Sequence, residues 1–189
     1  MVECLMEEEM LETTLKDDIT IKMLEMRQSH EMYDFIVRNK DFFIDWIPFV
    51  SQIHNLHDIE RLIKKNLERY IQGIGLYYTL WENNTLIGYV LAREIDKEAK
   101  WAEIGYMVDE QYTGRGIMKE SCIRLINYLF DDVNMDKIVI CCTDDNEKSK
   151  ALAIKLGFTL EGNIRNHFVV NNKIRNMLYY GLLKEEYTR

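Results

Sequence analysis

The sequence predicts a single mixed α+β domain built around a mostly antiparallel sheet. The chain has 189 residues, of which 47% are hydrophobic, and this is enough for one complete core. Strand-like apolar runs cluster in the middle and at the end of the chain, and helix-like spacing of apolar residues occurs between them. With one proline and nine glycines, long linkers and low-complexity tracts are not expected.

The first half of the chain predicts a strand, two helices and a three-stranded meander. Residues 19–24 alternate apolar and polar side chains, as a strand does. Ser29 can cap a first helix, and residues 55–70 repeat apolar side chains at helical spacing. Pro48, the only proline, lies between these helices and predicts a loop or a helix break. The meander is predicted at residues 76–81, 86–95 and 101–109.

The second half predicts a helix, a strand, a short helix and a closing hairpin. An amphipathic helix runs to about residue 131, and residues 137–142 form the continuous apolar run of an interior strand. Residues 146–156 predict a short helix that Gly157 closes. The hairpin is predicted at residues 158–160, 164–170 and 174–183. The sheet should therefore have about seven strands, flanked by about four helices.

Charge and composition argue against several classes of protein. A net charge of −8 disfavours a nucleic-acid-binding protein and suits a cationic substrate such as an amine. No window approaches the roughly 18 unbroken apolar residues of a membrane helix. Residues 1–18 are interpreted as an acidic lead-in that lacks the features of a secretory signal, and residues 19–189 as the domain. The four cysteines lack zinc-site spacing, so we expect free thiols, a cytoplasmic location and no metal.

A glycine motif follows the third strand of the meander, in Gln111-Tyr112-Thr113-Gly114-Arg115-Gly116. Glycine lets the backbone come close to a ligand, and the N–H groups of the helix that follows can bind an anion. Arg115 adds a positive charge suited to phosphate. The motif is neither a Walker loop nor a dinucleotide fingerprint. On its own, it is also consistent with a plain strand-to-helix turn.

Further short motifs surround the glycine motif and extend over residues 19–187. They are Trp46-Ile47-Pro48-Phe49, Ala102-Glu103-Ile104-Gly105-Tyr106, Asn146-Glu147-Lys148-Ser149, Lys155-Leu156-Gly157-Phe158, Leu160-Glu161-Gly162 and Asn171-Asn172-Lys173. In their joint order and spacing, these motifs resemble the GCN5-related N-acetyltransferase (GNAT) superfamily. The closer resemblance is to its ribosomal-protein N-terminal acetyltransferase group, the RimJ/RimL type.

The resemblance implies the GNAT fold, in which the sheet splays at the acetyl-CoA site. The strand before the glycine motif would pair with the pantetheine arm, and the first turn of the helix would hold the pyrophosphate. Asn146 and Ser149 resemble the pair beside the cofactor thiol, although Asn146 is also a plausible helix N-cap. The implied acetyl-CoA-binding residues are Met107, Val108, Asp109, Gln111, Gly114, Arg115, Gly116, Ile117, Met118, Lys119, Asn146 and Ser149.

Acetyl transfer requires a neutral amine, and the departing thiolate benefits from a proton. The resemblance makes Glu103 the first candidate for the general base and Ser149 the candidate proton donor. A backbone N–H near Met107 or Val108 could donate to the thioester oxygen. Direct attack by the amine needs no covalent enzyme intermediate, so the cysteines need no catalytic role.

The sequence defines the acceptor site less sharply than the acetyl-CoA site. Trp46 and Phe49 are expected to contact the acceptor beside Glu103, as in relatives, although aromatic residues there could equally belong to the core. Some members of the ribosomal group carry an acidic residue shortly after the Leu-Glu-Gly motif. Residues 163–168 contain none, which weakens a ribosomal assignment and leaves His167 as an alternative base.

The sequence therefore predicts an acetyl-CoA-dependent N-acetyltransferase, with the N-terminal α-amine of a protein as the favoured acceptor. A small amine, such as a polyamine or an aminoglycoside, is the alternative acceptor. A non-catalytic module that binds CoA is the alternative from another functional class. Neither nucleic acid nor a membrane is expected as a partner, and a homodimer is possible.

Overall fold

One sheet flanked by helices forms the fold, and the computed structural model describes residues 12–16 and 18–188 of the chain. The strands are β1 (Glu12–Lys16), β2 (Ile19–Met23), β3 (Leu76–Glu82), β4 (Thr85–Asp96), β5 (Trp101–Val108), β6 (Lys137–Thr143), β7 (Thr159–Val170) and β8 (Lys173–Leu183). The helices are α1 (Ser29–Arg38), α2 (Lys40–Phe43), α3 (Leu56–Ile71), α4 (Ile117–Asp131) and α5 (Glu147–Lys155). The strand order is β1-β2-β3-β4-β5-β6-β8-β7.

The sheet is antiparallel except at one pair of strands, β5 and β6. Parallel strands need a crossover connection, and α4 provides it between β5 and β6. The β7–β8 hairpin ends the sheet and turns at Asn171 and Asn172, which have φ values of 46° and 57°. Two successive left-handed residues are typical of a type I′ turn, and asparagine tolerates this conformation well.

Side chains alternate between two faces of the sheet. We call the face that carries Ala102 and Ile104 the back face, and the face that carries Glu103 and Met107 the front face. The back-face core includes the buried stripe Met118, Cys122, Leu125, Ile126 and Leu129 of α4, the apolar side of the amphipathic helix predicted there. The front-face core includes Met32, Phe35 and Ile36 of α1 with Ile59 and Ile63 of α3.

The helical cover of the front face is uneven. Helices α1 and α3 contact β3 and β4, whereas the front face of β6 and β8 is only partly buried. On β6, the back-face residues Ile138 and Ile140 are 0% and 1% exposed, but the front-face residues Val139 and Cys141 are half-buried. Tyr179 of β8, which lies opposite Cys141, is also half-buried. An open shelf of sheet therefore adjoins the covered half.

The first part of the chain differs from the sequence predictions in three details. Strand β1 lies within the segment interpreted as the acidic lead-in and pairs with β2, so the described sheet has eight strands. Its five residues are too few to give a clear periodic signal. Ser29 is the first, buried residue of α1, and Gln28 occupies the cap position. The single-turn helix α2 was not predicted, because four residues carry no helical period.

Candidate active site

A gap opens in the sheet where β5 and β6 separate. Their pairing ends at Ile104 and Ile140. Beyond that point, β5 remains paired with β4 as far as Val108, and β6 remains paired with β8 as far as Thr143. The ends of the two strands are therefore held by different neighbours, and the peptide edges that face the gap have lost their partners within the sheet.

The pairing of β5 with β4 shows which peptide groups face the gap. The Asp109 N–H donates to the Ile87 carbonyl at 2.8 Å. Hydrogen-bonded pairs alternate along an antiparallel ladder, so Met107 also directs its peptide groups towards β4. Tyr106 and Val108 direct theirs at the gap. Between the two residues suggested by the sequence, Val108 is thus better placed than Met107 to donate a backbone N–H there.

The glycine motif connects β5 to the N-terminus of α4. Gly114 and Gly116 have φ values of 80° and 79°, which side-chain-bearing residues rarely adopt. A Cβ at either position would meet no atom within 4 Å, so backbone conformation, rather than lack of space, requires glycine there. Glu120 donates its N–H to the Gly116 carbonyl. The N–H groups of the first helical turn before Glu120 have no acceptor within the helix and suit an anion.

Arg115 is held by protein groups more firmly than the sequence suggested. Its Nη2 lies 2.5 Å from Oε1 of Glu82, and its guanidinium lies 4.9 Å from the ring centre of Tyr112. The hydrogen bond from Arg115 lowers the pKa of Glu82, so the two side chains form an ion pair. Glu82 thus compensates much of the Arg115 charge. The backbone N–H groups of the glycine motif are therefore better suited than Arg115 to bind an anion.

Asp109 has a different role from the one that the sequence suggested. Its buried carboxylate accepts hydrogen bonds from Arg38 Nε at 2.6 Å, Asn39 Nδ2 at 3.0 Å and the Gln111 N–H at 3.0 Å. Burial opposes its charge, but these donors more than offset burial and lower the pKa of Asp109. With its N–H bonded to Ile87, Asp109 anchors the glycine motif to α1. We therefore remove it from the candidate acetyl-CoA contacts.

Glu103 lies on the front face of β5, just before the gap, with its side chain 16% exposed. Burial raises the pKa of its carboxyl group, and Arg93 partly offsets this effect from a distance of 3.3 Å. Arg93 is the extra residue of a β-bulge in β4 and shares the front face with Leu91, and the bulge places Glu94 opposite Glu103. A half-buried carboxylate with a raised pKa is suited to accept a proton near neutral pH.

Ser149 lies beside the gap on the back-face side. It is 9% exposed, and its Oγ is 2.8 Å from the hydroxyl of Tyr106. The side chain of Asn146 accepts a hydrogen bond from the Ser149 N–H at 3.0 Å and caps α5. The cap interpretation of Asn146 is therefore confirmed, and its amide NH2 group is not used in that bond. Burial raises the pKa of the nearby Cys142 thiol, and Ser149 partly offsets this increase.

The aromatic segment, residues 42–49, bridges the two halves of the sheet. Phe42 packs under Nζ of Lys148 from α5 at 4.4 Å, and Asp45 accepts a hydrogen bond from Asn171 in the hairpin turn at 2.6 Å. Trp46 is half-buried, while Phe49 packs against the front-face core. Phe49 therefore belongs partly to the core, which is one of the two possibilities that the sequence left open for these aromatic residues.

His167 and Cys141 border the front-face site without a partner, in the described part of the chain, that would make either of them its base. His167 is exposed on β7, and its ring centre lies 6.5 Å from that of Tyr179 on the shelf. Burial raises the pKa of the Cys141 thiol to about 12, and the nearby Glu103 carboxylate adds to the effect. A protonated thiol is a poor nucleophile, which agrees with direct attack by the amine. Among the described residues, no group of three or more metal-ligating side chains could hold a metal ion.

A family comparison decides between the functional classes left open by this geometry. Residues 20–159 match the model of the acetyltransferase (GNAT) domain. The chain belongs to the GNAT acetyltransferase family. It is 24% identical over 169 residues to the ribosomal-protein-serine acetyltransferase of Escherichia coli (strain K12), and the match covers 88% of this chain and 94% of that protein.

Solved structures of GNAT acetyltransferases have the same fold. The structure of RimL, a ribosomal L7/L12 alpha-N-protein acetyltransferase in complex with coenzyme A, has a TM-score of 0.87 and 21% identity, covering 91% of this chain and 97% of RimL. The structure of the microcin C7 self-immunity acetyltransferase MccE, in complex with acetyl-CoA and AMP, has a TM-score of 0.84 and 27% identity. The match covers 89% of this chain and 94% of the MccE chain. This GNAT protein is accordingly an N-acetyltransferase that uses acetyl-CoA.

The geometry fits acetyl-CoA as the GNAT co-substrate. Unpaired peptide groups in the gap suit an extended pantetheine arm, and the N-terminus of α4 suits its pyrophosphate. Sequence reasoning missed three neighbours of the site: Arg93, Tyr106 and Cys142. Arg93 could not be found because alternation along β4 does not reveal which residue of β5 lies opposite it. The alternation placed Tyr106 on the back face but could not show that its hydroxyl reaches Ser149.

Proposed function

We propose that this enzyme acetylates the N-terminal α-amine of a protein by direct attack on acetyl-CoA. One observation carries the proposal: Glu103, a half-buried carboxylate with a raised pKa, lies where the covered sheet gives way to the open shelf. This position gives the base both the desolvation that favours proton transfer and access to a large acceptor. The protein acetylated by the Escherichia coli relative is a ribosomal protein by name, which agrees with a protein acceptor.

The acetyl-CoA contacts that we propose follow from the strand gap and the glycine motif. Tyr106 and Val108 present backbone groups to the pantetheine arm, and the Val108 N–H is our candidate donor to the thioester oxygen. The pyrophosphate would lie on the backbone N–H groups of the glycine motif and the first turn of α4. The proposed contacts are Tyr106, Val108, Gln111, Gly114, Arg115, Gly116, Ile117, Met118, Lys119, Asn146 and Ser149, and Met107 leaves the predicted set because its peptide groups point towards β4.

The proposed reaction uses Glu103 and Ser149 as separate proton groups. The amine nitrogen forms a bond to the acetyl carbon, the carbon–sulfur bond breaks, and the products are an amide and the CoA thiol. Glu103 accepts the proton that the amine loses, and Ser149 donates one to the departing sulfur. Ser149 then takes a proton from water, and Glu103 releases its own to water, which restores both groups. An α-amine has a pKa of about 8, against roughly 10.4 for a lysine side chain, so less free energy is needed to present it in the neutral form.

The front face favours a protein N-terminus over a polyamine. A polyamine carries several positive charges and needs an enclosed acidic pocket. The open shelf instead presents Arg93 beside Glu103, and Glu161 forms a 2.6 Å ion pair with Lys137. An extended peptide could lie along this shelf while Trp46 and Phe49 border its first residues.

Thiol release from acetyl-CoA, measured over a panel of acceptors, tests the proposal. The panel contains peptides with free α-amines, the same peptides with blocked α-amines, and spermidine. We expect release only with the free α-amines, and mass spectrometry should place the acetyl group on the first residue. Release with spermidine but with none of the peptides would contradict the proposal, as would equal rates for free and blocked peptides that contain lysine.

In the part of the chain that the structure describes, no helix combines the length and apolar character needed to cross a bilayer. The cytoplasmic location and the homodimer stay predictions.

A further inference from the structure

Tyr106 connects the two sides of the gap on the back face. It belongs to β5 at the point where pairing with β6 has ended, yet its hydroxyl reaches Ser149 of α5, the helix that follows β6. The distance between the two oxygens is 2.8 Å, and the residues are 43 positions apart in the sequence. This hydrogen bond is therefore a direct side-chain link across the splayed strands.

Only one of the two hydroxyl groups, that of Tyr106 or that of Ser149, can donate the hydrogen in this bond. Each hydroxyl can donate one hydrogen and accept others, so the donor in this bond determines where the second hydrogen points. A phenol is more acidic than an alcohol and is the better donor. Burial raises the pKa of Tyr106, which keeps the phenol protonated and able to donate at neutral pH. When Tyr106 donates to Ser149, the serine hydrogen is directed to another acceptor.

The Ser149 oxygen is held in place beside the gap. It is 9% exposed and lies 2.8 Å from the Tyr106 hydroxyl. It also partly offsets the increase that burial causes in the pKa of the Cys142 thiol, which is 6% exposed on β6. A serine oxygen that accepts from Tyr106 keeps its own hydrogen for an acceptor in the gap, such as a departing thiolate.

We propose that Tyr106 is a positioning residue that donates to the Ser149 oxygen and so directs the serine hydrogen towards the thiolate leaving group. The inference rests on the proposed function, because it takes Ser149 as the proton donor. Tyr106 itself keeps its proton throughout. Its effect is on the orientation of Ser149, so it should appear in kcat and should depend on the presence of the serine hydroxyl.

A double-mutant cycle of Tyr106→Phe and Ser149→Ala tests the proposal. General acid catalysis contributes about 10² to 10⁴ in rate, so Ser149→Ala should lower kcat by roughly 10²-fold. We expect Tyr106→Phe to lower kcat by about tenfold, a part of that effect, with the KM for acetyl-CoA within about twofold of wild type. The double variant should be no slower than Ser149→Ala alone, because Tyr106 acts through the serine.

Tyr180→Phe is the matched control, because Tyr180 is also buried on the back face, at 5% exposure, but lies on β8. It should leave kcat unchanged, and thermal melts with CoA should show that all variants bind and fold. The proposal is overturned if Tyr106→Phe slows the Ser149→Ala enzyme as much as the wild type. It is equally overturned if Tyr106→Phe raises the KM for acetyl-CoA without lowering kcat, since Tyr106 would then only shape the gap.

The cycle separates this inference from the proposed function. If Ser149→Ala is slow but Tyr106→Phe equals wild type, only the positioning role fails. If Ser149→Ala itself equals wild type, the proton-donor role of Ser149 in the proposed function fails, and the role of Tyr106 fails with it. The acceptor assignment is measured on a different panel and is affected by neither result.

Discussion

The two halves of the front face consist of the same sheet but differ in what lies on them. Over β3 and the start of β4, α1 and α3 bury the front face, whereas the shelf on β6 and β8 is only partly buried. Glu103 lies at the boundary between the two halves, with its side chain 16% exposed. The proposed function gives the two halves different roles, in which the covered half stabilises the fold and the boundary carries the chemistry.

Among the substitutions proposed here, Asp109→Asn should cause the largest loss of stability, because it removes a buried negative charge at the edge of the covered half. The buried carboxylate pairs with Arg38 and Asn39, and removing one partner of a buried pair typically costs about 3 kcal/mol. Chemical denaturation at pH 7 should show this loss, whereas Glu110→Gln, on the exposed neighbouring residue, should show almost none.

The pH dependence of this loss gives an independent check. The folded pKa of Asp109 is lowered, so its contribution to stability is present above the unfolded pKa of about 3.9 and is lost as the pH falls through the folded value. The difference between Asp109→Asn and wild type should therefore shrink progressively as the pH falls below about 3.9. A difference that stayed constant as the pH fell further would rule out the ion pair as its cause.

The same substitution in each half should have unequal effects on stability. Val50 is 0% exposed within the front-face core, whereas Val139 is half-buried on the shelf. Val50→Ala should lower the free energy of unfolding by about 2 kcal/mol, and Val139→Ala by less than about 1 kcal/mol, because only the first leaves an enclosed cavity. Equal losses in urea denaturation would show that the shelf is packed as tightly as the covered half.

The smallest expected effect is a shift in pH dependence at the boundary. Arg93 opposes the burial that raises the pKa of Glu103, so Arg93→Gln should raise this pKa further. The acid limb of kcat/KM should then move to higher pH, by less than about one unit because Arg93 is well exposed. Arg165→Gln, an exposed change on β7, should leave the profile in place. A shift to lower pH would contradict the role given to Arg93.

Much of the fold could be predicted from the sequence, because its long elements have clear periods. The strands of the meander and the helices α3 and α4 lie where the pattern places them. The sequence cannot reveal contacts between distant segments. The Arg38–Asp109 pair joins residues 71 positions apart, and it changed Asp109 from a candidate ligand contact to an anchor. The bulge at Arg93 and the short strand β1 carry too little pattern to be found.

The central claim is that Glu103 at the boundary is the general base, and its most direct test is kcat/KM for the best peptide acceptor between about pH 6 and pH 9. We predict that Glu103→Gln lowers kcat/KM by about 10²-fold or more, with little change in the KM for acetyl-CoA. Glu161→Gln should equal wild type, because Glu161 is paired with Lys137 farther along the sheet. Wild-type kcat/KM for Glu103→Gln across this range would contradict the account.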